Sequence, residues 1–304
     1  MLDLHDGPVD FLVERPGDLR RNADAVAHLC TCDLPAGSFI QVPSGSIDVE
    51  LYVTSPELTY VQLAYGASMQ MAAYVGMALC ADYRLDPFSV GGVLQRQSSD
   101  ARVTTVARLR NYVERAARVC GRKRAAAALD FVWERSRSPK ESGLALFYGM
   151  PVRFGGMSLG DVTMNPRVRV FGGVDMLGHA RYEERYPDIL ISRSLIDGGL
   201  LAVAFDYDAD SVHAGSEKAL EDRRRTNSIA TVDNLLHFSV STTDLDDITY
   251  LRLLGDRARR ALKLRSRPPL QVARGSAEGR RLLAEYRERQ ERVWQEVVVS
   301  RMPF

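Results

Sequence analysis

Three aspartates lie at the ends of two apolar runs that have the pattern of neighbouring β-strands. The segment "DILISRSLIDGGLLAVAFDYDADSVH", residues 188–213, has a Gly-Gly turn near its middle and Asp188, Asp206 and Asp208 near its ends. An unpaired buried carboxylate is costly, so these groups either face solvent or surround a positive charge. Antiparallel neighbours lie about 5 Å apart, and two carboxylates at that distance repel unless a cation or a proton separates them.

A magnesium or manganese ion would suit this pair. Mg²⁺ prefers hard oxygen ligands and keeps several of its waters, and a bound ion can polarise a phosphodiester and lower the pKa of an attacking water. We therefore predict that Asp188 and Asp206 hold Mg²⁺ or Mn²⁺. Glu141, at the start of a predicted helix, could complete the shell through water, and His213 could transfer protons or hold a phosphate oxygen.

A polar segment after these strands, "AGSEKALEDRRRTNS", predicts a basic helix that could hold a phosphate backbone. Its candidate phosphate- and DNA-binding residues are Arg223, Arg224, Arg225 and Asn227. Each group also has a plainer interpretation. An arginine run is usually a solvated helix face, an acid such as Asp188 is common at a strand edge, and His213 could be a structural hydrogen-bonding residue.

Composition limits the classes of function. The chain has 304 residues, 45% hydrophobic and 26% charged, as in soluble globular proteins of one large or two ordinary domains. A net charge of +1 excludes attraction of polyanions by bulk charge, so any contact with nucleic acid must come from local basic patches. Four cysteines without zinc-site spacing favour a reducing, cytoplasmic setting.

The N-terminus does not have the pattern of a signal peptide, because it is acidic and interrupted by proline. Residues 58–81 contain no charged side chain and are long enough to span a bilayer. Glutamines, tyrosines, glycines and serine dilute this stretch, so we predict a buried helix rather than a membrane span. Ser55, Pro56 and Glu57 predict the start of that helix.

The remaining elements follow from periodicity. Residues 38–53 alternate around a turn and predict a hairpin, whereas residues 103–147 are helical in pattern, with Ser138 as the cap of a helix that contains Glu141. After Gly149 the pattern predicts strands at "RVRVF", "DILIS", "LLAVAFDY" and "LLHFSVS", followed by a helix from residue 242.

The C-terminal segment predicts an amphipathic helix that either packs in the core or docks a protein partner. Its apolar stripe consists of Leu282, Leu283, Tyr286, Val293, Trp294 and Val297.

Residues 120–265 resemble the compact PD-(D/E)xK nucleases related to very-short-patch-repair endonucleases. The resemblance lies in the order of "SPKE", "PDILI", "FDYDAD", His213 and "EDRRRTN". It implies catalytic roles for Glu141, Asp188, Asp206, Asp208 and His213. Two departures weaken the catalytic interpretation: Asp206 stands where the family has Glu, and Ala209 where it has Gly. Asp208 replaces the lysine of the family name, as in many members of this subgroup.

The segment "GSIDVELYVTSPELTYVQLA" is similar to the C-terminal part of bacterial abortive-infection antitoxins, which regulate transcription. We therefore divide the chain into an antitoxin-like N-terminal domain (1–120), a nuclease-like domain (121–268) and a C-terminal amphipathic helix (269–304). The fold class is α+β (α/β), with a restriction-endonuclease-like core of a small mixed sheet flanked by helices, preceded by a mixed, mostly helical N-terminal domain.

Two hypotheses follow from the sequence. The first is a metal-dependent endonuclease-like protein that hydrolyses DNA phosphodiesters. The second is a non-catalytic transcriptional regulator or antitoxin-like module of a bacterial defence system, which keeps the nuclease fold to bind DNA or a protein.

Overall fold

A computed structural model describes residues 8–43, 50–86, 88–89, 92–96, 102–209, 234–265 and 276–300. The strands of these parts are β1 (Val9–Val13), β2 (Ala25–Leu29), β3 (Phe39–Val42), β4 (Leu51–Thr54), β5 (Tyr83–Leu85), β6 (Val93–Gln95), β7 (Asp161–Met164), β8 (Val168–Val174), β9 (Ala180–Arg185), β10 (Ile189–Ser194), β11 (Leu200–Asp208) and β12 (Leu235–Ser241). The α-helices are α1 (Pro56–Ala64), α2 (Met69–Leu79), α3 (Val106–Arg115), α4 (Arg122–Ala128), α5 (Pro139–Gly149), α6 (Thr242–Leu245), α7 (Ile248–Ala261) and α8 (Ala277–Val293).

A mixed four-stranded sheet, in the order β12-β11-β10-β7, confirms the α+β class. β10 is antiparallel to both β7 and β11, whereas β11 and β12 are parallel. The predicted hairpin around Gly198 and Gly199 joins β10 to β11, and Gly198 has a φ of 83°, which favours glycine. Since Ile189 is paired with Phe205, extending the register by one position sets Asp188 opposite Asp206.

The centre of the sheet is apolar because helices cover it. Ile189, Ile191 and Phe205 are fully buried, and the Phe205 ring stacks on Tyr148 of α5 at a centroid distance of 4.3 Å. The Tyr148 hydroxyl donates to the carbonyl of Leu251 in α7 at 3.2 Å. Tyr148 therefore links α5 to α7 by a hydrogen bond and packs α5 on β11, the strand that contains Asp206.

Two segments expected as single helices are each divided. The apolar stretch 58–81 forms the end of α1 and all of α2, separated at Gly66, whose φ of 81° is left-handed. Ser55 caps α1 as predicted, and Ser68 caps α2. The helix predicted from residue 242 divides into α6 and α7 because Asp247 caps a new helix there.

Most of the apolar stretch 58–81 is buried within the protein, because residues of α2 form part of the core. No helix in the described parts of the chain combines the length and the apolar character that crossing a membrane requires.

One cluster of buried side chains extends from Leu58 to Val298, across the sequence boundaries placed at residues 120 and 268. Most of the C-terminal apolar stripe packs within the chain: Val293 and Val297 are fully buried, and the Tyr286 hydroxyl donates to Gly156 O at 3.1 Å. This internal packing supports the core role of the stripe over the docking of a partner.

Gly143 is where α5 meets the final helical turns at Trp294–Val299, which have π-helical hydrogen bonding. A Cβ atom at this position would collide with the carbonyl oxygen of Val297. We expect Gly143→Ala to lower the free energy of unfolding by about 1–3 kcal/mol, the usual cost of overpacking. Urea denaturation followed by circular dichroism measures this change.

Gly17→Ala is the matched control, because nothing lies within 4 Å of a Cβ atom added there. Equal stabilities of Gly143→Ala and Gly17→Ala would show that the C-terminal segment does not pack closely on α5.

Candidate functional site

Glu141 is held at the start of α5 by a local sequence signal. Ser138 caps the helix by accepting from the Glu141 main-chain N at 3.1 Å, and Pro139 occupies the first turn, as predicted. This cap turns the Glu141 side chain into the protein, where it is only 5% exposed. Its Oε2 accepts from Arg137 N at 2.9 Å and from Asn165 Nδ2 at 3.2 Å.

Asn165 connects Glu141 to the strand ends. It follows β7 with a φ of 47°, a left-handed conformation that asparagine tolerates better than most residues. Its Nδ2 also donates to Arg135 O at 2.9 Å, and its main-chain N donates to Asp188 O at 2.9 Å. Asn165 thus links the helix that contains Glu141 to Asp188, the residue directly before β10.

Asp188 and Asp206 fix each other through main-chain hydrogen bonds. The N–H of Asp188 donates to Asp206 Oδ1 at 2.9 Å, and the N–H of Tyr207 donates to Asp188 Oδ2 at 2.7 Å. The arrangement therefore holds two carboxylates together at the ends of β10 and β11.

His237 of β12 lies against this pair. Its Nε2 is 3.1 Å from Asp206 Oδ2, and its side chain is only 2% exposed. In the tautomer with its proton on Nε2, His237 donates to this oxygen. Its Nδ1 is buried and has no hydrogen-bond partner among the described residues.

Burial raises the pKa of Glu141 above its ordinary value. The hydrogen bonds from Arg137 N and Asn165 Nδ2 oppose this change because they stabilise the charged form. The loss of water on burial is therefore the dominant influence on the pKa of Glu141.

The structure joins three of the predicted site residues, Glu141, Asp188 and Asp206, in one hydrogen-bonded network. Asp208 ends β11 opposite Ser241 of β12, on the same side of the strand as Asp206 by the alternation of strand side chains. The other predicted members lie outside the described residues: His213, Arg223, Arg224, Arg225 and Asn227.

Asp188 and Asp206 are the residues of the network that could hold a metal ion. No group of three or more His, Cys, Asp or Glu side chains in the described residues is close enough to bind one ion together. Mg²⁺ is commonly held by one or two carboxylates, with water and substrate phosphate as its other ligands. Asp188 and Asp206 would supply those two carboxylates, and Asn165 links them to Glu141.

Sequence reasoning missed the roles of Asn165 and His237 in this network. Nothing in the sequence near His237 indicates its contact with Asp206, because that contact depends on the parallel pairing of β11 and β12. The available signal for Asn165 was its position before Pro166 and directly after a strand, where a polar residue able to adopt a left-handed conformation is typical of a turn.

Comparison with known proteins gives no match: no family model, no curated protein and no solved structure is significantly similar to this chain. The nuclease-like and antitoxin-like resemblances therefore stay predictions from short motifs.

The raised pKa of Glu141 predicts a pH dependence of stability. The folded protein binds this proton more readily than the unfolded chain, so the stabilisation is present at low pH and is lost as pH rises through the folded pKa. Glu141→Gln cannot ionise, and we expect its melting temperature to fall less than that of the wild type between pH 4 and pH 8. Thermal unfolding at a series of pH values measures this.

Exposed Glu114→Gln in α3 is the control for general charge effects. Parallel pH profiles for the wild type and both variants would contradict the burial effect on Glu141.

The His237–Asp206 contact predicts an energetic coupling. His237→Phe removes the donor and leaves Asp206 Oδ2 without it in a partly buried position, at an expected cost of about 1–3 kcal/mol. In an Asp206→Ala background the same change should cost clearly less, because no carboxylate remains to lose its donor. Urea denaturation of the four proteins in this cycle measures the coupling, and strictly additive costs would show that the contact adds no stability.

Proposed function

We propose that this chain is a metal-dependent, endonuclease-like protein that hydrolyses DNA phosphodiesters. The observation that supports the proposal is the mutual fixing of Asp188 and Asp206 at the ends of two neighbouring strands, with Glu141 linked to them through Asn165. The PD-(D/E)xK resemblance expects carboxylates at these three positions. Glu141 and Asp206 are 65 positions apart in the sequence, and hydrogen bonds through Asn165 and Asp188 connect them in the folded chain.

Each residue of the network has a distinct role in this proposal. Asp188 and Asp206 would hold Mg²⁺ or Mn²⁺, which would supply positive charge at the phosphodiester and lower the pKa of a bound water. The N–H groups of Asp188 and Tyr207 orient the two carboxylates. His237 restrains the second oxygen of Asp206, and buried Glu141 keeps the helix start close to the strand ends.

Asp206 is one methylene shorter than the glutamate expected at its position, so it reaches less far from the strand. Its neighbour two residues on, Asp208, adds negative charge where the family name has lysine. These differences predict that the enzyme is slow. They also predict that its rate depends more strongly on the concentration of divalent ion than the rate of an enzyme with Glu and Lys at these positions.

The DNA contacts assigned to Arg223, Arg224, Arg225 and Asn227 and the proton transfer assigned to His213 complete the proposal. A cytoplasmic location accords with it, because Cys30, Cys32, Cys80 and Cys120 are free thiols.

A non-catalytic regulator or antitoxin-like module is the second candidate, and one observation favours it. Both oxygens of Asp206 lie within hydrogen-bond distance of protein donors, Asp188 N and His237 Nε2. A carboxylate with a purely structural role would be satisfied in the same way. DNA or protein binding without hydrolysis would then be the function.

Plasmid nicking separates the two candidates. Supercoiled DNA incubated with Mn²⁺ or Mg²⁺ should be nicked by the wild type, and Asp188→Ala and Asp206→Ala should each reduce the rate at least a hundredfold. These two residues would stabilise charge during the reaction, an effect worth about 10²–10³ for a single group in other enzymes. Gel densitometry measures the conversion of supercoiled to open circular DNA.

Asp197→Ala is the matched control, because this exposed aspartate lies in the same hairpin at the opposite ends of β10 and β11. Nicking that persists at the wild-type rate in Asp188→Ala and Asp206→Ala, or no nicking by the wild type, would exclude the hydrolytic proposal in favour of the regulator.

A further inference from the structure

Positive charge is dense on α3, α4 and the turn between them. Residues 106–124 contain seven basic side chains and one acidic side chain, Glu114, whereas the other 285 residues have 33 basic and 38 acidic side chains. We call these seven the α3–α4 basic surface: Arg108, Arg110, Arg115, Arg118, Arg122, Lys123 and Arg124. Residues 252–267 have the same excess, with seven basic side chains and one acidic side chain, so the α3–α4 basic surface is one of two strongly positive segments in a nearly neutral protein.

Four of these side chains are not paired with an acidic side chain of the described residues. Arg108, Arg118, Lys123 and Arg124 are exposed, and their side chains form no hydrogen bond or ion pair with any described residue. Arg110 differs, because it pairs with Asp130 at 3.4 Å. The four side chains can therefore be replaced without breaking a hydrogen bond or ion pair to a described residue.

The last two residues of the basic surface, Arg115 and Arg122, donate hydrogen bonds to main-chain oxygens. These bonds do not neutralise their charge. Arg115 Nη1 donates to Ala36 O at 3.2 Å, and Arg122 Nε donates to Val113 O at 3.0 Å. Carbonyl oxygens orient a guanidinium without neutralising it. These two arginines are therefore positioned charges beside the four side chains described above.

Helix stability does not explain the basic residues of α4. Arg122, Lys123 and Arg124 occupy its first turn, which has no acidic residue and begins at Gly121 without a side-chain cap. The N-terminal end of a helix is the positive end of its dipole, so cations there are unfavourable. The three cations of α4 are therefore not placed there by the helix dipole.

One face of α3 presents donors along a cleft of about 420 Å³. Arg108, Asn111 and Arg115 lie on this face at helical spacing and line the cleft, together with the Glu57 carboxylate, which accepts from Thr104 Oγ1 at 2.5 Å. The eight residues from 108 to 115 extend about 10 Å along the helix axis. That length corresponds to about three phosphates of one DNA strand along the duplex axis.

The chain connects the basic surface to the carboxylate network by a short path. Arg110 pairs with Asp130, and the main chain from Asp130 to Arg135 spans at most about 18 Å. The Arg135 carbonyl accepts from Asn165 Nδ2 in the network.

We propose that the α3–α4 basic surface binds the sugar–phosphate backbone of duplex DNA and presents it to the carboxylate network. The identity of the polyanion rests on the proposed function. Binding at this surface is independent of sequence, because phosphate contacts do not read bases. The affinity of this binding should fall strongly as the salt concentration rises, because binding releases counterions from the DNA.

The test compares two variants of equal charge. Arg108, Arg118, Lys123 and Arg124 are all replaced by Gln in the first variant, and Arg280, Arg281, Arg287 and Arg292 of α8 in the control. The four control residues are exposed and lie on a helix where arginines alternate with glutamates. Fluorescence anisotropy with a labelled 30-bp duplex, in EDTA at 50–200 mM NaCl, gives the affinity and its salt slope. Circular dichroism checks that both variants are folded.

We expect the first variant to bind at least tenfold more weakly at 100 mM NaCl, with a salt slope shallower by about one for each residue replaced. The control should bind within twofold of the wild type. Equal weakening of both variants, or of neither, would overturn the proposal, as would binding of the wild type to phosphatidylglycerol vesicles but not to DNA.

The same variants keep this proposal separate from the hydrolytic one. Surface-dependent binding by a protein that never nicks plasmid would support the basic surface and reject hydrolysis. Nicking that is undiminished in the first variant would reject the basic surface and leave hydrolysis in place.

Discussion

The fold must hold the charged side chains of Asp188 and Asp206 side by side at the ends of β10 and β11. Main-chain N–H groups of Asp188 and Tyr207 make this possible, because each donates to the carboxylate of the opposite strand. The arrangement depends on register: a slip of one residue would turn every side chain of the strand to the other face. The Gly198–Gly199 turn and the apolar pairing of Ile189 with Phe205 fix that register.

The rest of the core serves to keep α5 against these strand ends. Tyr148 stacks on Phe205 and donates to α7, whereas Gly143 allows the C-terminal turns to approach the helix closely. Asn165 then connects the start of α5 to β10, with its amide on Glu141 and its N–H on Asp188 O. The C-terminal segment is therefore part of the framework of the site, and it packs in the same core as the N-terminal helices.

Features determined by neighbouring residues could be predicted from the sequence, and features determined by pairing could not. The Ser138 cap, the Gly-Gly hairpin and the opposition of Asp188 and Asp206 follow from local signals and strand alternation. His237 could not be assigned to Asp206, because that contact needs the parallel alignment of β12 with β11. The division of the apolar stretch at Gly66 was also missed, since glycine is tolerated within helical patterns and only its left-handed φ ends the helix.

Calorimetric titration with Mn²⁺ tests the central claim, that the two aspartates form a metal site, most directly. We expect about one ion to bind per wild-type chain, none to bind to Asp188→Ala, and Asp197→Ala, at the other end of the hairpin, to bind as the wild type does. Absence of heat from the wild type, both alone and with duplex DNA present, would show that the two aspartates do not form a metal site. The carboxylate network would then be a structural element that holds α5 to the sheet.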